Sequence, residues 1–324
     1  MRRLLITAAA ATAAALALSG CGSSEPAKDS AGAKSEKITV TGADGAKVTL
    51  DHAATKVVGT EWNVVESLVT LGVDPVGVAD VKGYTTWDKA APLVGSPKDI
   101  GTRGEPSMDT IAGLAPDLIV ATTDLSASAV KQMKKIAPVL QVTSANGADQ
   151  IGQMNDTLDV IAKATGKETA AKAARTEFEA KVAEGRKALK DAGLAGTRVA
   201  MADGYSASNQ VSVRAYTSGS QLGAVNEALG LKNAWKPKGD KDYGLATTDV
   251  EGLTGLGEDT RFLYIGNKSE TDVFTKDLAD NSVWKSLPFV KSGHVHRLDD
   301  GIWMFGGPKS MELYIDAVVS TLTK

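Results

Sequence analysis

Short apolar runs rich in β-branched residues recur along the chain, each separated from the next by a segment whose apolar positions return at helical spacing. Residues 38–40 (ITV) and 47–50 (KVTL) flank 43–46 (ADGA), which predicts a hairpin turning at Asp44-Gly45. Residues 57–59, 76–78 and 117–121 read as strands alternating with helices, the arrangement of a parallel sheet. Residues 167–191 are rich in Ala, Glu and Lys, lack proline, and predict one long helix of roughly 37 Å at 1.5 Å per residue. Its apolar positions Ala171, Ala174, Phe178, Val182 and Leu189 form a stripe that must pack against something, with charge on the other face. Strand-like runs then resume at 198–201, 262–266 and 294–298. The fold class is therefore α/β, with a lobe on each side of the mid-chain helix. That helix reads either as a spine between the lobes or as an ordinary surface helix of one large domain.

The first twenty residues differ in kind. Arg2 and Arg3 precede an uncharged Ala/Leu stretch and then small residues, the layout of an export signal that is too short to remain as a membrane span. Cys21, the sole cysteine, closes Leu18-Ser19-Gly20-Cys21, which resembles the lipobox of bacterial lipoproteins, whose cysteine takes a diacylglycerol and becomes the new N-terminus. An ordinary secretory signal with an incidental cysteine is the other reading. The expected layout is a signal peptide at 1–20, a flexible linker at 21–37, an N-terminal lobe at 38–166, a connecting helix at 167–192 and a C-terminal lobe at 193–324. A single cysteine allows no intramolecular disulfide, so the cores carry the stability. The formal charge of −3, with no basic block, speaks against a nucleic-acid partner.

Each half carries an acid in the same frame, Asp109-x-Ile-x-Gly-Leu before the strand at 118 and Glu251-x-Leu-x-Gly-Leu before the strand at 262. Local chemistry explains both. Ser107 is a good N-cap that sets Asp109 in the first helical turn, and Thr248-Asp249-Val250-Glu251 has the pattern of a capping box. The alternative is a pair of acids docking a two-fold membrane partner.

Aromatic residues are only 5% of the chain, and many fall in loop-like, Gly-rich surroundings: Trp62, Tyr84 and Trp87 in the first half, and Tyr205, Tyr216, Trp235, Tyr243 and Trp303 in the second. Arg103 and Arg214 lie among them. Ligands of open α/β sheets bind beyond the carboxyl ends of the strands, so these residues suggest a cleft of flat apolar faces with a few fixed donors. Three histidines, two of them on one strand face, are a poor metal-ligand set. No nucleophile elbow, Walker loop or H-E-x-x-H run appears, and Ser218 and Ser220 have no histidine near them in sequence. An enzyme, such as a surface serine hydrolase, is left without a mechanism.

The ordered series VVGTEW from 57, LGVDPVGV from 71, GTRGEPSMD from 101, PDLI from 116, the mid-chain helix, LGLKNAW from 229 and FGGPKS from 305 resembles the ferric-siderophore-binding lipoproteins of iron-uptake ABC transporters, over essentially all of residues 38–324. The resemblance implies two Rossmann-like lobes joined by a single long rigid helix, a cleft between them, and a monomer tethered at Cys21 to the outer face of the cell membrane. It further implies delivery of a ferric chelate to an ABC permease, and the expected cargo is a ferric siderophore of hydroxamate or citrate type. The family's docking acids fall on Asp109 and Glu251 and its cleft arginine on Arg103. Asp109 is one methylene shorter than the usual glutamate, which leaves nearby Glu105 as the other candidate. The cargo arrives already chelated, so no cofactor and no protein ligand to iron are expected. Haem or a corrinoid is the alternative cargo.

Overall fold

The computed structural model describes residues 37–207 and 210–324. The expectations for the signal peptide, for Cys21 and for nearly all of the linker lie outside the described residues. The α/β class holds, and the described residues gather into one compact unit with a two-stranded hairpin and two larger sheets.

A hairpin of β1 (Ile38–Thr41) and β2 (Lys47–Leu50) comes first, turning at Gly45 in the left-handed region. Next come β3 (Val57–Gly59), α1 (Trp62–Thr70), β4 (Gly77–Val78), α2 (Val81–Trp87), β5 (Lys98–Asp99), α3 (Met108–Leu114), β6 (Leu118–Thr122), α4 (Ala127–Met133), β7 (Val139–Val142) and α5 (Gln150–Thr165). The strands from β3 to β7 form a fully parallel sheet in the order β5-β4-β3-β6-β7. Chain order reverses between β3 and β6, which opens a crevice at their carboxyl ends. The central strands are buried throughout, as a sheet covered on both faces requires.

α6 (Glu168–Asp191) is the expected long helix, with Lys167 just before its first turn. Ala171, Ala174, Phe178 and Leu189 of the stripe are buried and Val182 half-buried. The stripe packs against α5 and the C-terminal helix. Gly185 permits that approach, since a Cβ there would sit 2.8 Å from side-chain atoms of Ile315 and Leu229.

The remaining elements are β8 (Arg198–Ala207), β9 (Gln210–Tyr216), α7 (Gln221–Ala228), β10 (Lys232–Asn233), β11 (Leu245–Thr248), β12 (Arg261–Tyr264), α8 (Ser282–Ser286), α9 (Pro288–Lys291), β13 (Val295–Arg297) and α10 (Pro308–Leu322). The second sheet runs β11-β9-β8-β12-β13, with β10 beside the start of β8. It is mixed rather than parallel. β8 and β9 form a long antiparallel hairpin that the Gly- and Ser-containing segment after Met201 hides from an alternation reading.

The two acid-bearing frames also diverge. Ser107 caps α3 through Thr110 N–H, as expected. The segment at Glu251–Gly255 is instead a 3-10 turn, and Asp249 accepts from Gly252 N–H at 3.0 Å while Thr248 ends β11. Glu251 makes no capping hydrogen bond, so the capping box is not formed and its exposed carboxylate is unexplained by local helix chemistry.

A buried carboxylate ties the first sheet's helices to the chain's last helix. Glu66 of α1 is fully buried and accepts from Ser310 N–H and Ser310 Oγ, both at 2.8 Å, at the first turn of α10. A Cβ at Gly306 would come within 2.2 Å of Glu66 Oε2, so only glycine admits the carboxylate. Asp88, just past α2, is also buried, and its Oδ2 has no hydrogen-bond partner among the described residues. Burial and the Glu66 charge push Asp88 up to about 9, so it keeps its proton at neutral pH.

An acid raised in the folded state binds a proton that the unfolded chain has released, so folding stability drops as pH climbs from the ordinary carboxylate range toward about 9. Asp88→Asn keeps an acceptor for Ala90 and Ala91 N–H and supplies a permanent donor to Glu66. We expect its melting temperature to approach the parent's only as pH falls below the ordinary carboxylate range, and to exceed it increasingly from there toward pH 9, by roughly 2–4 °C per kcal/mol of relieved penalty. Thermal unfolding followed by circular dichroism across this range checks it, and parallel curves would show that Asp88 is not the titrating group.

Candidate functional site

One cavity of about 600 Å³ lies where the carboxyl ends of the first sheet's strands face the second sheet. Glu61, Trp62 and Asn63 reach it from the β3–α1 junction, Trp87 from the end of α2, Arg103 from the loop after β5, and Asp124 and Ser144 from beyond β6 and β7. The opposite wall comes from Asp203 and Tyr205 on β8, Arg214 on β9, Tyr243 and Leu245 at β11, Ile265 and Glu270 beyond β12, and the segment Trp303, Met304 and Phe305 before α10. The switch point of the parallel sheet thus forms one wall, where an open α/β sheet places its ligand.

Trp62 opens α1, with Glu61 as its N-cap, and donates Nε1–H to the Ala79 carbonyl at 3.0 Å. Its ring meets Trp303 edge-on at 4.6 Å, Trp303 meets Phe305 at 5.3 Å, and Phe305 meets Tyr243 at 5.5 Å. The wall of rings is therefore continuous across both halves of the chain. An arginine sits at each end. Arg103 stacks 4.0 Å from the Trp62 centroid, and Arg214 lies 5.7 Å from Phe305 and 5.9 Å from Tyr216.

Each arginine already holds a carboxylate. Arg103 Nη1 donates to Glu61 Oε1 at 2.8 Å. Arg214 grips Asp203 with two nitrogens, Nε to Oδ1 at 2.9 Å and Nη2 to Oδ2, because β8 and β9 pair Asp203 directly opposite Arg214. The Tyr216 hydroxyl donates to the same Asp203 at 3.1 Å, and burial together with that carboxylate holds its pKa well above the usual phenol range. Tyr243 donates its hydroxyl to Asp124, and burial followed by this hydrogen bond raises its pKa too.

Seven of the ten sequence-chosen binding residues line the cavity: Trp62, Trp87, Arg103, Tyr205, Arg214, Tyr243 and Trp303. Three do not. Tyr84 is 0% exposed, on the inner face of α2, with its hydroxyl donated to the Ala91 carbonyl. Tyr216, also 0% exposed, lies beneath Arg214 as its support. Trp235 packs on Phe262 of the C-terminal core and donates to the Met201 carbonyl. Phe305 and the four acids, Glu61, Asp124, Asp203 and Glu270, were missed as lining residues. Phe305-Gly306-Gly307 carries the same aromatic-in-glycine signal as the residues that were chosen.

Among the described residues no group of three or more His, Cys, Asp or Glu is placed to hold a metal ion. Ser220, in the segment that a serine hydrolase would have used, has structural work: it caps α7 by accepting from Gly223 N–H and donates to the Thr217 carbonyl. Asp109, Glu105 and Glu251 are exposed and stand apart from the cavity lining.

The periplasmic binding protein family model matches residues 57–301. The chain belongs to that family. The Fe(3+)-citrate-binding protein YfmC of Bacillus subtilis is 30% identical over 312 residues, covering 92% of this chain and 90% of that protein. The Vibrio cholerae siderophore-binding protein FhuD, solved with Fe3+-Desferal, superposes with a TM-score of 0.75 at 27% identity, covering 83% of this chain and 98% of that one. The petrobactin-binding protein YclQ of Bacillus subtilis shares the fold, with a TM-score of 0.71 at 22% identity and coverage of 89% and 99%.

Removing Arg214 leaves Asp203 with the Tyr216 hydroxyl alone, so Arg214→Ala should destabilise the protein by about 1–3 kcal/mol. Asp203→Asn in that background should recover part of the loss. Urea unfolding of the four proteins of this cycle measures it, and strictly additive effects would show that the pair is not coupled.

Proposed function

We propose that this chain captures a ferric siderophore of hydroxamate or citrate type in the cavity between two lobes and delivers it to an ABC permease, working as a monomer anchored through Cys21 to the outer face of the cell membrane. The observation that carries the reading is the ring wall flanked by two arginines. Flat apolar faces suit the organic backbone of a chelate, and guanidinium N–H groups suit its oxygens. A siderophore fills the coordination shell of its iron, so the protein needs no ligands of its own. The names of YfmC and of FhuD with its Desferal support the same cargo class.

In this reading α6 acts as a rigid spine and closure on the cargo is small. Hydrogen bonds that cross between the halves support it. Gln150 Nε2 reaches the Gly219 and Asp242 carbonyls at 2.8 Å, Asn267 reaches the Thr86 carbonyl, and Lys89 N–H reaches the Gly301 carbonyl. Asp109 and Glu251, exposed at the starts of α3 and of the 3-10 turn, are the permease contacts, with Glu105 as the alternative to Asp109.

Trp62, Trp87 and Trp303 line the cavity, so intrinsic fluorescence should be quenched saturably by ferric siderophores and not by the iron-free ligands. No response to any of a panel of ferric chelates would remove the proposal. Arg103→Ala should weaken binding by about tenfold, since it loses both a donor and a stacked cation. Charge reversal at Asp109 or Glu251 should abolish uptake into cells while leaving chelate affinity and melting temperature unchanged. A parallel fall in melting temperature would assign these acids to the fold instead.

A further inference from the structure

Among the described residues the cavity lining contains four acidic side chains, Glu61, Asp124, Asp203 and Glu270, against two arginines and no lysine. Both guanidinium groups are spent on two of those acids, Arg103 on Glu61 and Arg214 on Asp203. Asp124 accepts the Tyr243 hydroxyl, which is neutral and cancels no charge. Glu270 is exposed on the C-terminal wall beyond β12 and has no ion-pair partner among the described residues. The cavity therefore presents an excess of negative charge, in a chain whose overall balance is only mildly acidic.

Within the ferric-siderophore reading, on which this inference rests, we infer that the site selects ferric complexes of zero or positive net charge, the tris-hydroxamate class, and discriminates against anionic citrate and catecholate complexes. Three singly charged hydroxamates neutralise a ferric ion, and a free amine on the backbone makes the complex cationic. Citrate and catecholate ligands bring more negative charge than the iron can cancel. To neutralise that surplus the site would have to pull Arg214 off Asp203, whose side chain is only 13% exposed, or Arg103 off Glu61. A hydroxamate complex asks for less. Arg103 uses one N–H on Glu61 and Arg214 two on Asp203, which leaves guanidinium donors for neutral carbonyl-type oxygens with both pairs intact. Asp124 and Glu270 then attract a cationic backbone amine.

Three probes separate charge from shape in fluorescence titrations of the intact protein: ferric desferrioxamine B, which is cationic; its N-acetylated ferric complex, neutral with the same iron core; and ferric dicitrate, anionic. We expect the cationic complex to bind about threefold to tenfold more tightly than the neutral one at low salt, with the gap closing as ionic strength rises. Ferric dicitrate should bind at least about tenfold more weakly than either. Glu270→Gln should narrow the gap between cationic and neutral complexes about two- to fivefold. Dicitrate binding as tightly as the hydroxamates, or a cationic-to-neutral ratio indifferent to salt and to Glu270→Gln, overturns the charge selection while leaving the ferric-siderophore reading intact. Silence with all three probes overturns both.

Discussion

The Glu66 carboxylate, buried at the point where α1 meets the first turn of α10, is the interaction on which the rest of the structure depends. Isolated from water, such a group is tolerable only if donors converge on it. Here they are the Ser310 amide and hydroxyl, at the positive end of a fifteen-residue helix. Because the helix start is fixed, so is the segment leading into it. Trp303, Met304 and Phe305 are carried to the cavity wall by a chain that has no freedom at Gly306 and Gly307, where the carboxylate occupies the space of a side chain. Burial pushes the Glu66 pKa up against the donors that hold it down, and this one buried carboxyl in the first half thus positions the aromatic wall contributed by the second.

The electrostatics of the cavity follow the same logic on a smaller scale. Antiparallel pairing of β8 with β9 sets Asp203 against Arg214, and the length of the β3–α1 junction sets Glu61 against Arg103. Pairing holds each guanidinium plane in a fixed attitude over a ring, which a free arginine on a long flexible stem would not maintain. The arrangement favours orientation over raw charge. What the site offers a ligand is a set of preplaced N–H groups and ring faces, with its unbalanced charge negative.

Much of this was legible in the chain. Hydrophobic period located β3, β6, β12 and the whole of α6, and the Asp-Gly turn located the first hairpin, because each depends on neighbours within a few residues. The cavity was legible in outline, since aromatics next to glycine mark strand ends. The misplacements share a cause. Tyr84, Tyr216 and Trp235 have the same local surroundings as Trp87 and Tyr243, and whether such a ring faces the cavity or the core is decided by helix phase, strand register and packing partners far away in sequence. The acids were invisible for a related reason: Asp203 acquires its meaning only from Arg214 on the neighbouring strand. Asp249 takes the N-cap part expected of Thr248, which leaves Glu251 without a capping partner, because β11 pairs through Thr248 and the turn that follows winds as 3-10.

The distribution of order around the cavity bears on how it could accommodate a bulky cargo. The two halves are stitched together by the Glu66 clasp, by Gln150 to the Gly219 and Asp242 carbonyls, and by Asn267 and Gly301 to the segment after Tyr84. Opening the walls by several ångströms would break these bonds together and expose the buried Glu66, a far larger penalty than turning a side chain. Adaptation to different cargo therefore falls to the groups not so bound. Tyr205 is 55% exposed at the rim, and Glu270, beyond β12, has no ion-pair partner among the described residues. In the proposed reading the hydrogen-bonded inner wall would set what class of complex can enter, and these exposed rim groups how closely a particular member of that class is held.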